Sequence, residues 1–273
     1  FYVGELPVGR RVAYSYGGDL IVLSTNGLLS LSRFLRGSTL ESSSNYLTQR
    51  IEKLIRSVMR TRRNYFGWGI YTSPKDSILL VSTPVIAGER PIQFVMDTTT
   101  TAWGFWRDLS ICSAATWQDE FYFGHNSDKV YWYTGAMDNV NIDLTGNDSI
   151  EYSVLSSYQD FGSPAANKIV QYVRPTFRAG RAPSYAISAL YDYNFDEIFF
   201  GGEASAGTEG VWEPADTVSE WDTAVWSGDL GSSYLTGGSF GMGRTVAIAI
   251  KGRSKTETDL VDINVMWTSG GMM

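Results

Sequence analysis

Hydrophobic and polar positions alternate along most of this chain with the two-residue period of β-strands, in short runs broken by tight polar turns. The stretch from Pro91 to Gly135, PIQFVMDTTTTAWGFWRDLSICSAATWQDEFYFGHNSDKVYWYTG, carries the pattern most densely. Ile92, Phe94 and Met96 alternate with their neighbours, Asp97 to Thr101 supplies a turn, and Trp103 to Trp106 resumes an aromatic strand. Ile111 to Trp117 follows as a small-residue apolar run. Gln118, Asp119 and Glu120 then turn the chain, Phe121 to Gly124 is strand, and Asn126 to Asp128 leads into Lys129 to Tyr133. Strands this short, at near-regular spacing, predict a radial or sandwiched β architecture instead of an α/β fold.

Upstream the same cadence recurs. Val12, Tyr14 and Tyr16 alternate, Gly17, Gly18 and Asp19 turn, and Leu20 to Leu23 pairs with Leu28 to Leu31 across Thr25, Asn26 and Gly27. Leu28 to Leu35 reads as one continuous run. Tyr65 to Tyr71 and Ile78 to Val81 form a further pair across Thr72 to Ser77. This material amounts to three propeller blades at most, too few to close a ring of blades. Because the chain begins at Phe1, without Met and in mid-pattern, a longer polypeptide is expected to supply the rest.

One stretch breaks to a helical period. In Asn45 to Thr61, NYLTQRIEKLIRSVMRT, the side chains of Leu47, Ile51, Leu54, Ile55 and Val58 fall on one stripe. Arg50, Lys53, Arg56 and Arg60 fall opposite, so the predicted helix is amphipathic with a cationic outer face. Ser42 to Ser44 offer N-caps, and Arg60, Arg62 and Arg63 sit where the helix dipole favours cations. Such a face suits a membrane surface, a nucleic acid or an acidic neighbour, or it is simply solvated.

The pattern changes at Ala136 to Ser149, which places a domain boundary near residue 140: blade-like strands with the inserted helix over 1–140, then an antiparallel β-sandwich over 141–273. The sandwich strands are expected at Ile150 to Gln159, Lys168 to Arg178, Ser184 to Asn194, Arg244 to Lys251 and Leu260 to Trp267. Between them Gly201 to Gly238 reads as a long loop bearing Trp212, Trp221, Trp226 and Tyr234. Aromatics of that size on a long loop point to contact with another protein surface, so Trp212, Trp221 and Trp226 join the cationic helix residues as candidate subunit contacts.

Composition narrows the chemistry. One cysteine, Cys112, and one histidine, His125, leave no intrachain disulfide and no complete Cys/His zinc site. Cys112 reads as a small buried hydrophobe, and His125 as an exposed hairpin-end residue. Asp138, Asn139, Asp143, Asn147 and Asp148 lack calcium-loop spacing and read as a polar linker. Gly237, Gly238, Gly241 and Gly243 are not followed by a P-loop lysine. No cofactor, metal ion or catalytic residue is expected, and no apolar run is long enough for a membrane span. Phe1 to Arg11 has neither the charged start nor the apolar run of a signal peptide. The net charge of −7 is uneven, with +6 over residues 1–63 and −13 over residues 64–273. An acidic majority argues against general nucleic-acid binding and suits a surface that DNA slides past.

The order FVMDTTTTAW, then a strand holding Cys112, then DEFYFGHNSDKVYWYTGAMDN, resembles the tail-nozzle and head-to-tail stabilisation proteins of short-tailed bacteriophages. GDLIVLSTNGLLSLS at Gly18 to Ser32, ILLVSTP at Ile78 to Pro84 and WDTAVWSGD at Trp221 to Asp229 carry the same resemblance. It implies a structural virion protein, made in the host cytoplasm and located in the phage tail. It further implies a homo-hexameric ring that contacts an adaptor or portal-side ring and other tail proteins. Genomic DNA would pass through the lumen on ejection without sequence-specific binding. Two other readings stay open: a glycan hydrolase using acids such as Asp119, Glu120, Asp196 and Glu197, and a noncatalytic glycan-binding adhesin using the loop tryptophans. Adjacent acids on a strand face opposite ways, which leaves the hydrolase without a formed carboxylate pair.

Overall fold

The computed structural model describes residues 6–36, 46–126, 128–133, 137–138, 148–179, 183–194, 231–233, 241–254 and 256–270. The chain divides into two compact units, Phe1–Thr134 and Gly135–Met273. The fold is mainly β: the described residues form five antiparallel sheets, none closed into a barrel, with two α-helices.

The first unit contains three meanders in chain order. They are β1 (Ala13–Tyr16), β2 (Asp19–Ser24) and β3 (Gly27–Ser30); β4 (Gly69–Ser73), β5 (Ile78–Ser82), β6 (Ile92–Asp97) and β7 (Trp103–Arg107); and β8 (Ser113–Trp117), β9 (Glu120–Gly124) and β10 (Val130–Tyr133). The turns explain the hairpins. Gly17 and Gly18 take the left-handed φ values of 60° and 77° that a twisted two-residue turn between β1 and β2 requires. Gln118 and Asp119 adopt the same region, at 49° and 62°, between β8 and β9 without glycine. Between β6 and β7 the Asp97 carboxylate accepts from the Thr99 and Thr100 N–H groups at 2.8 and 2.7 Å.

Two cores bind these sheets face to face. Ile21, Leu23 and Leu28 of the first sheet meet Ile70, Leu79, Val81, Phe94 and Met96 of the second, with Trp68, Ile55 and Met59 filling between. On the second sheet's other face, Tyr71 and Leu80 meet Ile111, Ala114, Phe121 and Phe123. Leu79 and Leu80 are neighbours on β5, point to opposite faces and are both fully buried. Strands β4–β6 are therefore covered on both sides, while β7 at the sheet's edge stays partly exposed.

Two local expectations are corrected. The run after Leu28 stops being strand at Ser30, and Leu31–Leu35 is a short helix, α1. Asp19 decides this from a distance, because its carboxylate accepts from the Ser30 hydroxyl, the Ser32 hydroxyl at 2.9 Å and the Ser32 N–H at 2.9 Å. The main helix is also shorter than predicted: Gln49–Ile51 is a 3-10 turn and α2 spans Glu52–Arg62. Leu54, assigned to the apolar stripe, is 40% exposed, while Ile55, Met59 and Arg62 face inward. The predicted stripe otherwise holds, with Leu47, Ile51, Ile55 and Val58 packed on the core, and its inward face is centred nearer Ile55 and Met59 than the sequence spacing placed it. Asn45 and Ser42 to Ser44 lie outside the described residues.

In the second unit, β11 (Met137–Asp138), β12 (Asp148–Leu155), β16 (Val246–Ser254) and β14 (Ser184–Tyr191) form one sheet in that order. The other sheet runs β15 (Gly231–Ser233), β13 (Lys168–Ala179), β17 (Thr258–Ser269). Val170, Val173 and Phe177 of one sheet share a core with Tyr185, Val246, Ile248 and Ile250 of the other. Val170 and Val173 both face inward although three residues apart, because a bulge between Val170 and Tyr172 resets the register. Ala247 and Ala249 are buried on the other face of β16. Two stretches read as polar linker or loop contain strand: Asp138 pairs with Asp148, and Gly231–Ser233 pairs with Phe177 to Ala179.

Candidate assembly interface

The β8–β10 sheet covers one face of β4–β7 and leaves its own opposite face exposed. Registry lines up Ala115, Tyr122 and Trp132 across the three strands of that face, with Trp117 opposite Glu120 and Val130 opposite Gly124. Trp117 is 62% exposed, Trp132 52% and Val130 75%. The face is ordered by contacts among its own side chains. The Trp132 indole N–H donates to Glu120 Oε2 at 3.0 Å, Lys75 pairs with Glu120 Oε1, and the Trp117 and Tyr122 rings lie 6.4 Å apart. Lys75 and the Trp132 indole hold the Glu120 carboxyl below the usual carboxylate range.

Full burial of an aromatic side chain removes about 150–250 Å² from water, and more than half of that remains open on Trp117 and Trp132, which makes the face favourable to bury. The sequence offers a signal for it that the strand-by-strand reading does not use. In VYWY both faces of the strand are apolar or aromatic, the pattern of a strand covered on both sides, and in EFYFG the face opposite the two phenylalanines carries Tyr122 beside Glu120.

The cationic helix is a second exposed surface. Arg50, in the 3-10 turn, and Lys53 and Arg60, on α2, are exposed. Arg56 differs from expectation: it is half-buried and pairs with Glu52 one turn earlier at 2.8 Å. Arg62 is not a solvent cation at the helix end either. It is buried, pairs with Glu89 at 2.6 Å, and its carbonyl accepts from the Trp68 indole at 3.0 Å. The helix thus presents three of the four candidate cations outward, on an element anchored through Ile55 and Met59.

The remaining candidates separate. Trp212, Trp221 and Trp226 lie outside the described residues, as do Asp196 and Glu197. Asp119 and Glu120 occupy the β8–β9 hairpin, with Glu120 engaged as above. Cys112 is exposed, contrary to the buried position expected, because β8 begins only at Ser113 and the thiol opens onto a cleft of about 330 Å³ shared with Arg10, Arg11, Phe66 and Tyr71. His125 sits between β9 and β10 as expected, but it is half-buried with its ring edge-on to Tyr131.

Among the described residues, no group of three or more His, Cys, Asp or Glu is placed to hold a metal ion. No helix among them is long and apolar enough to cross a membrane. No known family model matches the chain, and a search of curated proteins gives no match.

Proposed function

We propose that this protein is a ring-forming structural subunit of the tail of a short-tailed bacteriophage, in the nozzle or at the head-to-tail junction, where its ring forms part of the DNA exit channel. The observation that carries this reading is the open end of the sheet stack. Strands β4–β6 are buried on both faces, with β7 partly exposed at the sheet's edge, whereas the stack ends at β8–β10 on a face bearing Trp117, Tyr122, Val130 and Trp132. A terminal face of that composition favours continuation against another protein surface.

In this reading the three meanders are blades of a partial β-propeller and the second unit is a β-sandwich. Six copies close a ring, each using its aromatic face and its Arg50, Lys53 and Arg60 surface against a neighbour. The uneven charge supports the pairing, since +6 over residues 1–63 faces a remainder of −13. The acidic remainder also suits a lumen past which DNA slides, because like charge keeps the phosphate backbone from sticking. The role asks no catalysis of the chain. Its partners are further copies of itself, an adaptor or portal-side ring and other tail proteins, and its place is the virion.

Light-scattering mass of the wild-type chain and of a Trp117→Ser/Trp132→Ser variant tests the proposal. The expected result is a hexamer that the variant breaks into smaller species while its thermal unfolding stays near wild type. A wild-type monomer at every concentration, or a hexamer indifferent to both substitutions, contradicts it.

A further inference from the structure

At one end of the second unit, β12 and β14 finish and β16 begins, and the connecting residues form an open cleft of about 420 Å³. Tyr158, Gln159, Asp160, Phe161, Tyr193 and Thr245 line it. Three non-glycine residues here hold left-handed backbone conformations: Phe161 at φ 47°, Asp192 at 50° and Tyr193 at 61°. Each is costly for an L-residue and persists only where its surroundings enforce it.

The enforcing contacts are explicit. Asp192 Oδ1 accepts from the Arg244 and Thr245 N–H groups at 2.8 and 2.9 Å. Lys168 is fully buried, and its ammonium donates to the carbonyls of Ser163, Ala166 and Arg244 at 2.6, 2.9 and 2.7 Å. One cation therefore ties the loop after β12 to the approach to β16. Phe161 stacks on Trp267 with centroids 5.9 Å apart and planes 17° apart.

The product of this scaffolding is an aromatic shelf. Tyr193 is 63% exposed, yet its ring is backed by Tyr158 at a centroid distance of 4.3 Å. The Tyr158 hydroxyl in turn donates to the Asn194 carbonyl at 3.3 Å. Beside the shelf stand the Asp160 carboxylate, whose Oδ1 accepts from the Gly162 N–H at 3.0 Å, and the exposed Gln159.

The lining selects a ligand class. Asp160 and Asp192 disfavour phosphates and other anions. The open, largely polar wall buries too little apolar surface to hold a hydrophobic molecule. A quaternary ammonium needs aromatic faces converging as a box, whereas Tyr158 and Tyr193 lie against each other with planes 32° apart and leave only the far face of Tyr193 open. What remains is a ligand with a flat C–H face and a rim of hydroxyls.

We infer that this cleft is a carbohydrate-binding site that takes one pyranose residue, a neutral hexose or N-acetylhexosamine, of a polysaccharide. The C–H face of the sugar packs on Tyr193, Asp160 accepts from its hydroxyls, and Gln159 both donates and accepts. This inference does not rest on ring formation, and either can fail without the other.

The test is saturation-transfer NMR on the full chain with methyl glycosides of glucose, galactose and N-acetylglucosamine, using choline chloride as a control. The expected result is saturable millimolar binding of at least one glycoside, weakened about tenfold or more by Tyr193→Ala and kept within about threefold by Tyr193→Phe. Tyr193 is exposed, so both variants should unfold at the wild-type temperature. Absence of binding by all three glycosides overturns the inference. So does binding unchanged in Tyr193→Ala, or saturable binding of choline alone.

Discussion

The outer face of β8–β10 and the outer face of the β13–β17 sheet are both exposed, and they are built from different side chains. On the second, Arg178 pairs with Asp259 at 2.6 Å, Gln171 donates to Thr268 at 3.0 Å and Asn264 donates to Asp262 at 2.8 Å. Arg174 and Thr176 continue the polar row, which ends in one aromatic–apolar pair, Tyr172 beside the exposed Met266, with the bulge residue Val261 a separate apolar exposure of a kind ordinary on any surface. On the first, Ala115, Tyr122 and Trp132 form an unbroken row flanked by Trp117 and Val130. The same chain can therefore make a sheet face fit for water through cross-strand polar pairs. Where it places tryptophans instead, the face is better matched to another protein.

The largest effect expected from this contrast is on assembly. Central interface tryptophans cost about 2 kcal/mol or more each when truncated, so Trp117→Ser with Trp132→Ser should raise the dissociation constant of the assembly by about a thousandfold. Sedimentation equilibrium reads this directly. Global stability should move by less than about 1 kcal/mol, because both side chains are already exposed.

A smaller and salt-dependent effect is expected from Arg50→Glu, Lys53→Glu and Arg60→Glu together. Assembly should weaken about tenfold at low ionic strength, with the difference shrinking as salt screens it. A titration showing no change at any salt concentration removes α2 from the interface and leaves the aromatic face to act alone.

The second unit should show its sensitivity in its core and not on its polar face. Burial, and then neighbouring Tyr185, push the Tyr152 hydroxyl up to about 12 from its ordinary 10.0. The folded state thus keeps a proton that the unfolded state gives up. The associated stability is fully present below pH 10 and is lost as pH rises through the folded value. Alkaline melting curves should fall over that window in the wild type and fall less in Tyr152→Phe. Least of all should Arg178→Ala matter: breaking an exposed ion pair costs under about 1 kcal/mol and leaves assembly untouched, which a denaturant midpoint and a mass measurement together check.

Much of the strand pattern was readable because turn chemistry punctuates it, as at Gly17–Gly18, Asp97 and Asp128. Errors arose where a distant residue settles a local ambiguity. LLSLSRFL is compatible with strand or helix, and the Asp19 carboxylate, reaching Ser30 and Ser32, makes its second half a helix. Burial lowers the ability of Asp19 to stay charged, but the hydrogen bonds from Ser30, Ser32 and Leu20 together bring its pKa below the ordinary value. The stripe of Leu47, Ile51, Ile55 and Val58 does pack on the core, and only Leu54, at its edge and on the side away from Met59, is left exposed. Cys112 was misplaced because a strand end is set by pairing partners, here Gly124, and not by the apolar run itself.

The candidate sites were legible to different depths. Arg50, Lys53 and Arg60 follow from helical spacing, whereas Arg56 is diverted to Glu52 at i−4, a pairing the sequence does contain. Trp117 and Trp132 appear in the sequence as aromatics, but which face of β8–β10 stays open depends on packing against β4–β7. The Tyr158–Tyr193 shelf could not be read at all, since it joins residues 35 positions apart through backbone conformations that carry no glycine signal.

Electron-microscopy class averaging of the native assembly tests the central claim most directly. The account predicts a closed ring with an open central channel, in which the β8–β10 face of each subunit is covered by protein. A compact monomer or trimer without a channel, with Trp117 and Trp132 facing solvent, contradicts it.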